Sequence, residues 1–126
     1  MQRIEENLRT VEKLFRDLAT GDLDAMMNDF DDAAVWDYPQ GTPISGKHAG
    51  KPAIRKLFGM LRDTYSGGIE IQRLTLRAAD DCVFAEYGWI GSRPDGTKHR
   101  DHFLTLFQIS FGKITAVRQF AMGVAR

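Results

Sequence analysis

Between Ile69 and Met122 the chain runs through four segments of alternating polarity separated by turn signals, and this succession constrains the fold more than any other feature. Ile69 and Ile71 alternate, then Leu74 and Leu76 alternate in the opposite phase, so a β-bulge is predicted at Gln72-Arg73. Ala79-Asp80-Asp81 reads as a turn. The next strand, Cys82 to Gly91, carries Val83, Ala85, Tyr87 and Trp89 on one face. After the turn Arg93-Pro94-Asp95-Gly96, a strand through Ile109 sets His99, Asp101, Phe103, Thr105, Phe107 and Ile109 against Arg100, His102, Leu104, Leu106 and Gln108. Ser110-Phe111-Gly112 turns the chain into a last strand from Ile114 to about Met122. Such a sheet has an apolar face that something else must cover.

The covering elements come first in the chain. From about Ile4 to Ala19, Leu8, Val11, Leu14, Phe15 and Leu18 recur at helical spacing, and Gly21 stops the pattern. Asp22 is a cap for a second helix with Leu23, Met26, Met27 and Phe30 on its apolar face. Gln40 to Lys51 reads as loop. Pro52 opens a third helix that presents Ile54, Leu57, Phe58 and Leu61, and Gly67-Gly68 closes it. The expectation is one α+β domain over residues 1–126, with three N-terminal helices packed on one face of a curved antiparallel sheet.

Composition excludes several functions. Lys plus Arg equals Asp plus Glu at 17 each, so no basic excess exists to displace counterions from a nucleic acid. The single cysteine, Cys82, permits neither an intrachain disulfide nor a multi-thiolate metal site, and its apolar surroundings predict a small buried side chain. No run approaches the ~20 apolar residues of a membrane span, and the N-terminus lacks the apolar core of a signal peptide, so a cytoplasmic location is expected. His99 and His102 fall on opposite faces of a strand and cannot chelate one metal; no metal or cofactor is expected.

The remaining strand, Ala33-Ala34-Val35-Trp36-Asp37-Tyr38, ends at Pro39 and places a carboxylate between two aromatics. Alternation sets Asp37 and Val35 opposite Trp36 and Tyr38. Asp37 is either a buried acid or a strand-end acid bonded to amides of the following loop.

The chain resembles the nuclear transport factor 2-like superfamily, which includes ketosteroid isomerase, limonene epoxide hydrolase and the SnoaL-like polyketide cyclases. The resemblance rests on Ala19-Thr20-Gly21-Asp22, Asp31-Asp32-Ala33-Ala34-Val35-Trp36-Asp37 with Pro39, Gly50-Lys51-Pro52-Ala53-Ile54, and Phe107-Gln108-Ile109 through Gly112-Lys113-Ile114-Thr115. It implies a cone-shaped fold, with the curved antiparallel sheet wrapped around the three helices and enclosing a pocket, and a dimer across the outer sheet face. It also implies that Asp37, at the position of the isomerase's base, points inward. The isomerase's oxyanion donors fall at Leu14 and near Thr105, and the hydrolase's charged residues fall at Tyr87, Trp89 and Gln119, so neither known constellation is reproduced.

On these phases the expected inner wall includes Val35, Asp37, Tyr87, Trp89, Asp101, Phe103, Thr105 and Gln119, with Phe15 and Phe58 from the helices. This is a mostly apolar lining with a few polar groups, suited to a small hydrophobic or ring-bearing ligand. Asp37 and Asp101 are the candidate catalytic groups, and Phe15, Val35, Phe58, Tyr87, Trp89, Phe103, Thr105 and Gln119 the candidate ligand contacts. His99 shares a face with Asp101, so a histidine–aspartate dyad at the mouth stands beside the alternative of two solvated rim charges. The function expected is a cofactor-free isomerase, cyclase or dehydratase using an aspartate acid/base on a small apolar carbonyl compound. The alternative is a non-catalytic ligand-binding or dimeric association domain. Leu104 and Leu106 on the outer face predict the homodimer contact.

Overall fold

The computed structural model describes residues 2–42 and 44–123. The order is α1 (Gln2–Thr20), α2 (Leu23–Met27), β1 (Phe30–Tyr38), β2 (Gly46–Ala49), α3 (Lys51–Thr64), β3 (Gly68–Ala79), β4 (Cys82–Ser92), β5 (Lys98–Ser110) and β6 (Lys113–Ala121). The first and third helices form as their patterns require, whereas α2 is a short turn of five residues and Phe30, expected on its apolar face, opens β1 instead. Val11, Leu14 and Phe15 of α1 and Ile54, Leu57, Phe58 and Leu61 of α3 are buried. Asp22 caps α2 by accepting the Ala25 amide at 3.0 Å.

The sheet is a single one of six strands in the order β2-β1-β6-β5-β4-β3. From β3 to β6 it is the expected antiparallel meander, but β1 lies parallel to β6, so the sheet is mixed. The long connection from β1 to the meander through α3 permits that direction, which no hairpin could. The stretch read as loop contains the short strand β2, paired antiparallel on the free edge of β1 with Trp36 opposite His48. Its Gly-Lys-His-Ala sequence has no apolar alternation, so only the pairing partner reveals it. The bulge falls where the phase slip places it: the β3–β4 register shifts between Gln72 and Thr75, and Arg73 takes φ +55°.

The helices lie against the concave face. Trp36 sits at the centre of the core, edge-on to Phe58 at 4.8 Å and to Phe107 at 5.9 Å between ring centroids. Cys82, expected to be buried, is half-exposed at the start of β4. Among the described residues no helix is long and apolar enough to cross a membrane.

Candidate functional site

The direction of β1 decides the site. Ala34, Trp36 and Tyr38 are buried, and Asp37 and Val35 face outward. The expectation that Asp37 and Val35 belong to the inner wall is therefore reversed. Asp37 lies on the outer sheet face, level with Lys47 on β2 and Arg118 on β6. It borders an open outer groove of about 330 Å³ together with Arg118 and Phe120. The physical reason is a one-residue choice of phase. Burying a tryptophan and a tyrosine gains about 4–6 kcal/mol each in transfer free energy, whereas burying an unpaired carboxylate costs free energy. The aromatic phase held that signal in the sequence.

Turning Trp36 inward also changes the inside of the cone. Phe15, Phe58, Tyr87 and Gln119 surround a void of only about 20 Å³, room for about one water. Phe15 meets Tyr87 edge-on at 5.0 Å. The polar groups here are committed to each other. Trp36 Nε1 donates to Gln119 Oε1 at 2.9 Å, and the Tyr87 and Thr105 hydroxyls share a hydrogen bond of 2.9 Å. Thr105 is fully buried by that arrangement. These four expected contacts and Thr105 thus fill the core rather than line a roomy cavity.

The open space lies at the wide end of the cone. A cavity of about 430 Å³ is bounded by Tyr38, the Pro39–Thr42 stretch, the last turn of α3, Tyr65, Trp89, His99, Asp101 and Phe103. Of the expected site residues, Trp89, Asp101 and Phe103 meet here. Tyr65, Trp89 and His99 form a continuous aromatic wall, with Tyr65 edge-on to Trp89 at 4.9 Å and Trp89 to His99 at 5.8 Å. Gly91 makes this wall possible. A Cβ there would come within 2.5 Å of Tyr65 and 2.6 Å of Trp89.

Asp101 and His99 share the inner face of β5 as alternation requires, with Asp101 Oδ2 3.9 Å from His99 Nε2. The other carboxylate oxygen accepts the His102 amide at 2.8 Å, which steadies the group. Tyr38 brings a hydroxyl to the same cavity. Burial pushes its pKa far above the ordinary tyrosine range, and the negative charge of Asp101 adds to the effect. The hydroxyl therefore keeps its proton and is a donor near neutral pH. Sequence reasoning missed Tyr38 because it was assigned the wrong face, and missed Tyr65 because it follows α3 outside any periodic run.

The other two histidines lie elsewhere. His48 Nε2 is 2.7 Å from the Ile44 carbonyl oxygen, and His102 Nε2 is 2.8 Å from Glu86 Oε2 on the outer face. Among the described residues no group of three His, Cys, Asp or Glu side chains converges as a metal site would require.

The same architecture recurs in solved structures. Bal32a from a soil-derived mobile gene cassette superposes with a TM-score of 0.88 over 95% of this chain and 92% of its own, at 24% identity. A candidate polyketide cyclase of Xanthomonas campestris gives 0.83 over 94% and 91%, at 21% identity. TerC, co-crystallised with polyporic acid, gives 0.80 over 90% and 89%, at 15% identity. At these identities the likeness establishes the fold alone. None of the curated proteins matches the chain. Residues 11–117 match the profile of the SnoaL-like domain.

Proposed function

The chain belongs to the SnoaL-like domain family, and from that membership we propose that the cavity at the wide end of the cone is the site of an acid/base enzyme of the isomerase, cyclase or dehydratase type. The substrate class proposed is a small ring-bearing carbonyl compound. One observation carries the reading: the Asp101 carboxylate and the protonated Tyr38 hydroxyl both line an aromatic cavity of about 430 Å³. Asp101 is the base that removes a proton beside the carbonyl. The C–H electron pair moves toward the carbonyl oxygen, where the Tyr38 hydroxyl stabilises the developing enolate by hydrogen bonding. Asp101 then returns the proton at another carbon, which isomerises the compound, or to a departing oxygen, which dehydrates it. His99 positions the free oxygen of Asp101. Trp89, Tyr65 and Phe103 hold the ring. The polyporic acid found with a protein of this fold supports a ring-bearing ligand.

The test is turnover of a panel of small cyclic enones and β-hydroxyketones. Asp101→Asn should lower kcat by about 10²–10⁴, and Tyr38→Phe by about 10²–10³. Asp37→Asn, on the outer face, should leave both kcat and KM unchanged. Full activity in Asp101→Asn together with loss in Asp37→Asn would return the chemistry to the outer groove. Ligand binding without turnover by any panel member would favour a non-catalytic pocket.

We also propose that the outer sheet face joins two copies of the chain. Phe84 stands opposite Leu106, and Leu104 opposite Phe120, on that face. Phe84 and Phe120 are 39% and 44% exposed, too much apolar surface in one patch to be explained by a solvated sheet.

A further inference from the structure

The charges around the cavity are one-sided. Its lining among the described residues contains two carboxylates, Asp63 and Asp101, and no lysine or arginine. A third negative contribution comes from the backbone. Met60, Leu61, Asp63 and Thr64, all in the last turn or so of α3, reach the rim, so the negative end of that helix dipole opens on the cavity. Between these groups lie the rings of Tyr38, Tyr65, Trp89 and Phe103, whose faces are electron-rich. Trp89 and Phe103 sit 5.9 Å apart at 71°, so their planes enclose a corner rather than a slot. The nearby cation Arg93 lies over the Tyr65 ring at 5.7 Å but outside the lining, which shows that this ring takes a positive charge on a face already in use. His99 is the one lining group that can itself become a cation.

Aromatic faces, two carboxylates and a helix C-terminus, with Arg62 of the last turn of α3 and Arg93 both outside the lining, form a site for a positively charged guest. We infer that the ligand of this cavity carries a protonated or quaternary nitrogen, so that the substrate class narrows to small ring-bearing amines and amino ketones. Anionic acids are disfavoured by the same field, so the polyporic acid co-crystallised with TerC supports the ring of the ligand and not its charge. This inference rests on the reading of the cavity as the ligand site. In it the ammonium group lies against Trp89 and Phe103, within reach of Asp101, and Asp63 attracts it at the rim.

Three probes of one shape separate the possibilities: benzylammonium, benzyl alcohol and benzoate, titrated calorimetrically at pH 8 and low salt. The chain has two tryptophans, so its two indole N–H resonances also report where each probe sits. Benzylammonium should bind about tenfold more tightly than benzyl alcohol, and benzoate more weakly than either. It should shift the Trp89 resonance and leave that of the enclosed Trp36 in place. Asp63→Asn and Asp101→Asn should each weaken benzylammonium severalfold without weakening benzyl alcohol, and added salt should act in the same direction. Equal affinity for benzylammonium and benzyl alcohol, or preference for benzoate, with Trp89 shifted would overturn the cation inference and leave the cavity reading standing. A Trp89 resonance unmoved by all three probes would overturn both.

Discussion

Phe111 is the residue whose conformation and environment agree least. It occupies the tight turn between β5 and β6 at φ +50°, followed by Gly112 at φ +76°, with its side chain fully exposed. Such a turn demands the left-handed region at both positions, where glycine or asparagine is at ease and a large side chain is strained. Phe111→Asn should therefore raise stability by about 0.5–1 kcal/mol, read as an upward shift in Tm; an unchanged or lower Tm would mean that the ring makes a contact worth more than the strain. Cys82 offers a second residue-scale test. Burial pushes its thiol pKa up, and the hydrogen bond to Asp81 and that residue's charge add to it. Alkylation needs the thiolate. Its rate with iodoacetamide should therefore stay low through pH 8.5 and rise only above the ordinary cysteine range.

At the scale of elements, one lysine ties the helices to the sheet. Lys13 Nζ donates to Asp17 at 2.7 Å within α1, to Asp29 at 2.8 Å in the turn that leads into β1, and to the Ala25 carbonyl of α2 at 3.0 Å. A flexible side chain with all its donors occupied fixes three elements at one point. The hydrogen bonds to Asp17 and Asp29 raise its pKa above the ordinary 10.5, outweighing its slight desolvation. The sign follows from that direction. The folded state holds the proton more tightly, so the contribution is complete below the unfolded value and is lost as pH rises through the folded one. Because the side chain is 37% exposed, solvent screening keeps the effect small. Lys13→Met should cost about 1 kcal/mol in urea unfolding at pH 7, and the difference from the unsubstituted chain should shrink as pH rises past the ordinary lysine value of 10.5. A constant difference across that range would assign the loss to packing of the lysine stem instead.

For the whole molecule, the position of the open space is the expectation that changes most. The interior is packed by aromatics to a void of about 20 Å³, and the open cavity is displaced to the rim. The outer face keeps the apolar pairs Phe84–Leu106 and Leu104–Phe120, with both phenylalanines exposed and both leucines half-buried. With a formal net charge of zero, little long-range repulsion opposes association through that face. Sedimentation at micromolar concentration should find a dimer, and Leu104→Glu with Phe120→Glu should give a monomer that still binds in the rim cavity. A monomer from the unsubstituted chain would remove the proposed interface.

The sequence by itself determined the number and kind of the main elements, the bulge at Gln72-Arg73, the cap at Asp22 and the common face of His99 and Asp101. All of these depend on local periodicity or on one residue's own chemistry, which a chain carries wherever it folds. It also determined that Asp37 opposes Trp36 and Tyr38. It did not determine which of them faces in, because alternation has two phases and only a packed partner selects one. The tertiary structure chose the aromatics: Trp36 finds Gln119 at 83 residues' distance along the chain and meets Phe58 and Phe107. The same holds for β2, which exists only because β1 presents an unpaired edge to it. It holds for the cavity as well, since Tyr38, Asp63, Trp89 and Asp101 come from four elements and share no local pattern. Non-local burial decided those points, and its free energy depends on which surfaces meet rather than on any residue alone.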